Sequence, residues 1–220
     1  SGKLVYVVNL GDEAVDGIAI SVAGVKGMVE IDLDTLEAKP VCGKAEDGKF
    51  IIGAADLDFG HRLAVAGSDH RKFLRQVFVS VDITAPLYWW KEFDTYKVGT
   101  TANSTSTMHK IHAKEFTRED FSCDRMDEGG LALLDQVIAY LESERQKFLA
   151  DKDNKQAWHN MIQTLPTSYN QMRTVTLNYE NLINMYYARR HHKLAEWHVL
   201  CDWILSLPYA QELICVKEEK

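Results

Sequence analysis

The sequence predicts an α+β fold. Three observations carry that expectation: short β-like runs near the N-terminus, one cleanly alternating strand over residues 77–84, and a second half whose apolar residues recur at helical spacing. At 220 residues, 46% hydrophobic and 26% charged, the chain has the make-up of a globular domain that can bury a core without disulfides or a structural metal. A single domain over residues 1–220 is expected, because no internal repeat and no linker-like stretch interrupts it.

Residues 4–59 carry the β-like runs Leu4-Val5-Tyr6-Val7-Val8 and Phe50-Ile51-Ile52, separated by Gly- and Asp-bearing turns. Gly67-Ser68-Asp69-His70 reads as a turn into a short helix. The best strand follows, with Val77, Val79, Val81 and Ile83 on one face. Thr84-Ala85-Pro86 then places a hydroxyl at an N-cap and a proline in a first turn, so a helix carrying Leu87, Trp89, Trp90 and Phe93 is expected, its aromatics in the core. Residues 97–107 are small and polar and read as a loop rich in hydroxyl and amide groups, suited to phosphate contacts or simply to solvent.

The second half reads as helical. Leu134, Val137, Ile138 and Leu141 recur at i, i+3, i+4 and i+7, which makes one buried stripe. Asp151-Lys152-Asp153-Asn154 and Pro166 divide the region, and a last helical stretch, in one piece or two, is expected over about residues 171–205 with Leu194, Trp197, Cys201 and Ile204 facing the core.

Charge and cysteine usage exclude several functions. A formal net charge of −7 opposes a general nucleic-acid binder, which needs clustered Lys and Arg, while two or three arginines still suffice to hold one mononucleotide phosphate. Cys42, Cys123, Cys201 and Cys215 are scattered without a C-x-x-C pair, and buried reduced thiols are expected. There is neither an apolar run long enough to span a membrane nor a signal-peptide pattern, so a cytoplasmic protein without membrane partners is expected. Ser1-Gly2 reads as a tag-cleavage remnant.

The densest polar cluster comprises Asn178, Glu180, Asn181, Asn184, Arg189, Arg190, His191, His192 and Lys193, followed by Glu196 and His198. On one continuous helix Asn181, Asn184, His191 and His198 would share a stripe, with Arg189 and Arg190 about 100° apart. Arg offers a planar fork of donors and Asn a paired donor and acceptor, a set suited to a nucleotide; a solvated basic face with i, i+4 charge pairs is the competing reading. His109 with His112, and His192 with Glu196, have helical ligand spacing but no third ligand, so no metal site is expected. Nucleophile-elbow, Walker A and dinucleotide-binding motifs are missing.

From Ala85-Pro86 onward the chain resembles the flavin-dependent thymidylate synthases. His70, the strand over 77–84, Ala85-Pro86 and Asn103-Ser104-Thr105-Ser106 follow the order of that family's histidine-bearing helix, strand, helix start and Asn-Glu-x-Ser loop. Asn178, Asn184, Arg189 or Arg190, and Ala195-Glu196-Trp197 follow its two asparagines, its substrate arginine and its Ala-Gln-Trp segment. Spacing from the asparagines selects Arg189, and spacing back from Ala195 selects Arg190. The family's Arg-His-Arg motif is degraded to Thr95-Tyr96-Lys97 or Tyr96-Lys97-Val98, and Ser104 replaces the loop glutamate.

The resemblance, over about residues 67–205, implies a thymidylate synthase-complementing-protein-like fold: an antiparallel sheet, flanking helices and a helical C-terminal half. It implies reductive methylation of dUMP to dTMP, or a related pyrimidine nucleotide reaction, with FAD as cofactor and NADPH and methylenetetrahydrofolate as co-substrates. Arg189 or Arg190 would act on the uracil ring and bind substrate together with Ser106. His70, Lys97, Asn103, Ser104, Asn178 and Asn184 would contact flavin. A homotetramer is implied as well. Two alternatives stand beside the enzyme: a catalytically inactive nucleotide-binding protein of the same fold, and a non-catalytic oligomeric interaction protein.

Overall fold

A computed structural model of the chain describes residues 52–216, apart from the side chains of Thr107 and Met108, and the backbone of residues 3–8, 27–32 and 38–40. The fold is α+β, as expected. In chain order run β1 (Lys3–Val8), β2 (Gly27–Asp32), β3 (Ala38–Pro40), α1 (Ala54–Val65), a 3-10 helix (Arg71–Gln76), β4 (Phe78–Pro86), α2 (Leu87–Phe93) and β5 (Thr101–Ser104). They are followed by α3 (Thr107–Lys110), a 3-10 turn (Arg118–Asp120), α4 (Glu128–Ala150), α5 (Lys155–Thr164), β6 (Asn170–Asn178), α6 (Tyr179–Arg189), α7 (Ala195–Ser206) and α8 (Ala210–Leu213). The chain divides into two units, Ser1–Val79 with Leu177–Lys220, and Ser80–Thr176.

In the first unit β1, β2 and β3 form an antiparallel meander in which Val5 lies opposite Glu30 and Glu30 opposite Lys39. The expected run at residues 4–8 lies in β1; Phe50 and Ile51 of the second run lie outside the described residues. Helix α1 occupies ground read as β-rich. Gly60 interrupts its pattern, yet a Cβ there would come within 3.4 Å of Leu213 Cδ2 and 3.6 Å of Phe73 Cζ, so the glycine serves close packing. The core of this unit is built from Leu74, Leu182, Ile183, Met185, Trp197, Leu200 and Ile204, all buried, with α6 packed on the first 3-10 helix and on α7. Trp197, Cys201 and Ile204 face inward as expected, with Leu194 half-buried.

The expected helical stretch from 171 to 205 is corrected at its start, and of its two forms the one in two pieces is found. Residues 170–178 are the strand β6, and the chain turns between α6 and α7 at residues 190–194. Thus Asn181, Asn184, His191 and His198 do not share one helical stripe. The strand forms because Val175 and Leu177 are buried while Met172, Thr174 and Thr176 are exposed, a period of two that only a sheet face satisfies.

Most of a second sheet, in the order β4-β6-β5, belongs to the second unit. Val79 of β4 is buried and Val81 and Ile83 are half-buried, so the predicted alternation holds. Helix α2 starts at Leu87, one residue beyond Pro86, and Thr84 belongs to β4 instead of capping. Its first amides are satisfied elsewhere: Leu87 N donates to Tyr169 O and Tyr88 N to Thr167 O, both at 3.0 Å. Trp89, Trp90 and Phe93 are buried in mutual contact, Trp89 stacking on Phe93 at 5.1 Å, which accounts for them as core. Helices α4 and α5 close a further core of Ile111, Phe116, Phe121, Leu134, Leu141 and Met161, and Val137 and Ile138 pack against it. The break before α5 is capped by Asn154, whose Oδ1 accepts from Ala157 N at 3.1 Å.

Candidate functional site

Five of the candidates, His70, Asn178, Asn184, Arg189 and Arg190, surround or sit on α6 in the first unit. Asn178 is the N-cap of α6 and buried; its Oδ1 accepts from Asn181 N at 3.0 Å while Asn181 Oδ1 accepts from Asn178 N at 3.3 Å. This reciprocal box satisfies two amides that the first helical turn would leave open, and it holds the Asn178 side chain in one orientation. Glu180, two residues on, is buried and accepts from Arg71 Nε at 2.8 Å. His70 is exposed at the entry to the 3-10 helix, where its N–H and that of Arg71 both donate to Gly67 O. Asn184 is exposed on the outer face of α6.

The two arginines at the end of α6 are held differently. Arg189 lies with its guanidinium 4.5 Å above the centre of the buried Trp197 ring. Arg190, the C-cap, lies 5.0 Å from the Tyr187 ring and 5.8 Å from that of Tyr186, with which it shares a hydrogen bond. Tyr186 is also hydrogen-bonded with Cys215, and burial raises the pKa of both groups above the ordinary range. Burial pushes the Cys201 thiol up to about 11 and the Tyr179 phenol up to about 12, the latter donating to Pro208 O at 2.8 Å. In both cysteines burial disfavours the thiolate, the form a nucleophile would need. His192 Nδ1 accepts from Leu194 N at 3.2 Å, so in that contact the imidazole carries its proton on Nε2. Among the described residues no group of three or more His, Cys, Asp or Glu is placed to hold a metal ion.

The remaining candidates lie in the second unit. Tyr96 and Lys97 belong to the turn leaving α2, where Tyr96 N donates to Phe93 O at 2.9 Å; Tyr96 is half-buried, Lys97 is exposed and Val98 is 87% exposed. Residues 101–104, read as loop, form strand β5 paired antiparallel with β6, Asn103 opposite Thr174 and Ser104 opposite Arg173. The pleat sends Asn103 and Ser104 to opposite faces of the sheet, so one ligand lying on one face meets only one of them. Ser106 follows in the left-handed region, φ 56° and ψ 51°, and its carbonyl accepts from His109 N and Lys110 N as α3 begins.

One residue that sequence reasoning passed over stands beside this turn. Arg173 of β6 donates to Asp94 Oδ1 at 2.7 Å through Nη1 and to Gln171 Oε1 at 2.8 Å through Nε, with its guanidinium 4.3 Å over the Trp90 ring. A planar cation is therefore fixed at the exit of α2, contributed by a distant strand. No local spacing signals it, because Asp94 and Arg173 meet only through the sheet.

No protein-family model matches the chain. No curated protein matches it in sequence. Solved structures do match in fold. The flavin-dependent thymidylate synthase ThyX from Helicobacter pylori, complexed with FAD and dUMP, is similar at 17% identity and a TM-score of 0.55, covering 77% of this chain and 85% of that one. The UMP/dUMP methylase PolB from Streptomyces cacaoi, bound with 5-Br dUMP, is similar at 14% identity and a TM-score of 0.55, covering 74% and 81%. The fold is thus that of the ThyX structures. Among the described residues no helix is long and apolar enough to cross a membrane.

Proposed function

We propose that the chain binds a uridine or deoxyuridine monophosphate and methylates its pyrimidine ring, with FAD as cofactor and NADPH and methylenetetrahydrofolate as co-substrates. The observation that carries this reading is Arg189: a guanidinium at the end of α6, half-buried and laid 4.5 Å above a buried tryptophan ring. A fork ordered before binding loses little freedom when it meets a base carbonyl or a phosphate. Arg190, drawn into the tyrosine and cysteine packing around Tyr186, acts in this reading as support for the turn. The shared fold with nucleotide-bound structures adds to it.

The resemblance implies flavin contacts at His70, Lys97, Asn103, Ser104, Asn178 and Asn184. His70, Asn184 and Lys97 are exposed donors, as are Asn103 and Ser104, and buried Asn178 keeps its Nδ2 beyond the cap. Hydrogen-bond donors and an ammonium are the groups that a pyrophosphate-bearing cofactor calls for. When bound, the flavin supplies the hydride chemistry; the protein's share is to bind, orient and exclude water.

A second reading, nucleotide binding without redox chemistry, is favoured by one observation: Lys97, in either register of the degraded motif, is one exposed ammonium where the Arg-His-Arg of the family it resembles would bring two guanidinium forks. The visible spectrum of the purified protein, before and after incubation with FAD, separates the two readings. Bound oxidised flavin supports the first, and a colourless protein that dUMP still stabilises supports the second. At 100 times its Kd, dUMP adds about 2.7 kcal/mol to the stability of a protein that binds it. No shift with dUMP or UMP overturns both readings. A homotetramer accompanies the first, and sedimentation equilibrium checks it.

A further inference from the structure

Arg71 and Glu180 form an ion pair within the first unit, Nε to Oε2 at 2.8 Å, with 7% and 11% of their side chains exposed. Removing two charges from water is costly, and an apolar pair of similar volume would hold the same elements together at least as well. Stability therefore does not account for the pair. What an apolar contact lacks is direction, because a guanidinium–carboxylate bond is made in a narrow range of geometries.

The direction falls on two candidate residues. Arg71 is the residue after His70 at the start of the 3-10 helix, and Glu180 is the second residue after Asn178 in the first turn of α6. The same two segments are tied again where Tyr179 N donates to Val77 O at 3.0 Å. One tie is made by side chains and the other by backbone, at opposite ends of the 3-10 helix. Without the first, the 3-10 helix can pivot about the second and about the apolar contact of buried Leu74.

We propose that Arg71 and Glu180 are a positioning pair, setting the register of residues 70–77 on α6 and, through it, the placement of His70 relative to Asn178 and Asn184. The register is a property of the protein alone; its consequence for a ligand rests on the nucleotide reading above. The pair touches neither substrate nor cofactor in this account.

The test uses the full chain in three forms beside the wild type: Arg71→Met with Glu180→Leu, the charge exchange Arg71→Glu with Glu180→Arg, and Arg71→Lys alone. Thermal unfolding, amide hydrogen exchange over residues 70–77 and 178–184, and the affinities for dUMP and for FAD are measured on each. The apolar pair is expected to unfold at or above the wild-type temperature, to exchange roughly tenfold faster over 70–77, and to bind dUMP and FAD roughly tenfold more weakly. The charge exchange recovers both properties in large part, and Arg71→Lys, which keeps the charge without the fork, falls between. Wild-type exchange over 70–77 in the apolar pair, or in Arg71→Lys should the double variants not fold, overturns the proposal. A wild-type protein that binds neither ligand overturns the nucleotide reading and leaves the exchange measurement to decide the pair.

Discussion

Between residues 178 and 190 most polar side chains are half-buried or buried and engaged with named neighbours, whereas between 97 and 105 almost every residue is exposed and the order resides in the backbone. Asn178 caps α6, Glu180 holds Arg71, Arg189 lies on Trp197 and Arg190 on Tyr187. Lys97 leaves a helix into solvent, and Asn103 and Ser104 ride on an edge strand. Side-chain direction in the first stretch is set by packing. In the second it is set only by the pleat and the turn, and a ligand would have to order those side chains itself, at a cost in conformational entropy.

The contrast can be broken by substitution, beginning with the largest effect. Glu180→Ala leaves the Arg71 guanidinium enclosed without its partner and should lower stability by roughly 3–5 kcal/mol in urea unfolding. A loss under about 1 kcal/mol would mean that Arg71 escapes to water and that the pair is not enclosed in solution.

Alkaline pH tests the same stretch. Cys201 and Tyr179 have folded-state pKa values of about 11 and about 12, above their ordinary 9.0 and 10.0, because burial disfavours the charged forms. A raised folded-state pKa means that the unfolded chain releases its proton first. The stabilisation is therefore whole below pH 9 and drains away as pH rises toward 11 for the thiol and 12 for the phenol. Unfolding free energies measured at pH 8 and pH 10.5 should differ in that direction, and Cys201→Ala should flatten the slope.

Asn178→Ala removes a cap and should cost about 1 kcal/mol, whereas Asn103→Ala and Ser104→Ala should stay within about 0.5 kcal/mol of the wild type. Equal losses at all three positions would erase the contrast. One further expected effect has the opposite sign. Ser106→Gly relieves a left-handed backbone at φ 56°, offset in part by the greater freedom of glycine when unfolded, and should gain up to about 1 kcal/mol.

Elements with one buried face were legible along the chain. The alternation of β4 and the stripe Leu134, Val137, Ile138 and Leu141 on α4 carry their own periods, and the structure buries the faces those periods define. Helix α1 was not legible, since Gly60 breaks its pattern for the sake of the neighbours Leu213 and Phe73. Strand β5 has no apolar residue larger than alanine, and β6 offers only Val175 and Leu177 on its inner face before running into a helix. The candidate residues were named from type and order, but their commitments were hidden: the cap of Asn178, the enclosure of Glu180 and the arrival of Arg173 beside Asp94.

The sequence by itself determined the class of the fold, the positions of the strongest strand and of the long helix, and a polar cluster whose residue types suit a nucleotide. Those follow from local periodicity and chemistry, which neighbours along the chain carry between them. The tertiary structure alone decided that residues 101–104 and 170–178 pair as strands, that Arg189 and Arg190 rest on different rings, and that Arg71 meets Glu180. Each of these joins residues brought together by the fold, and their energy comes from partners that no local pattern encodes.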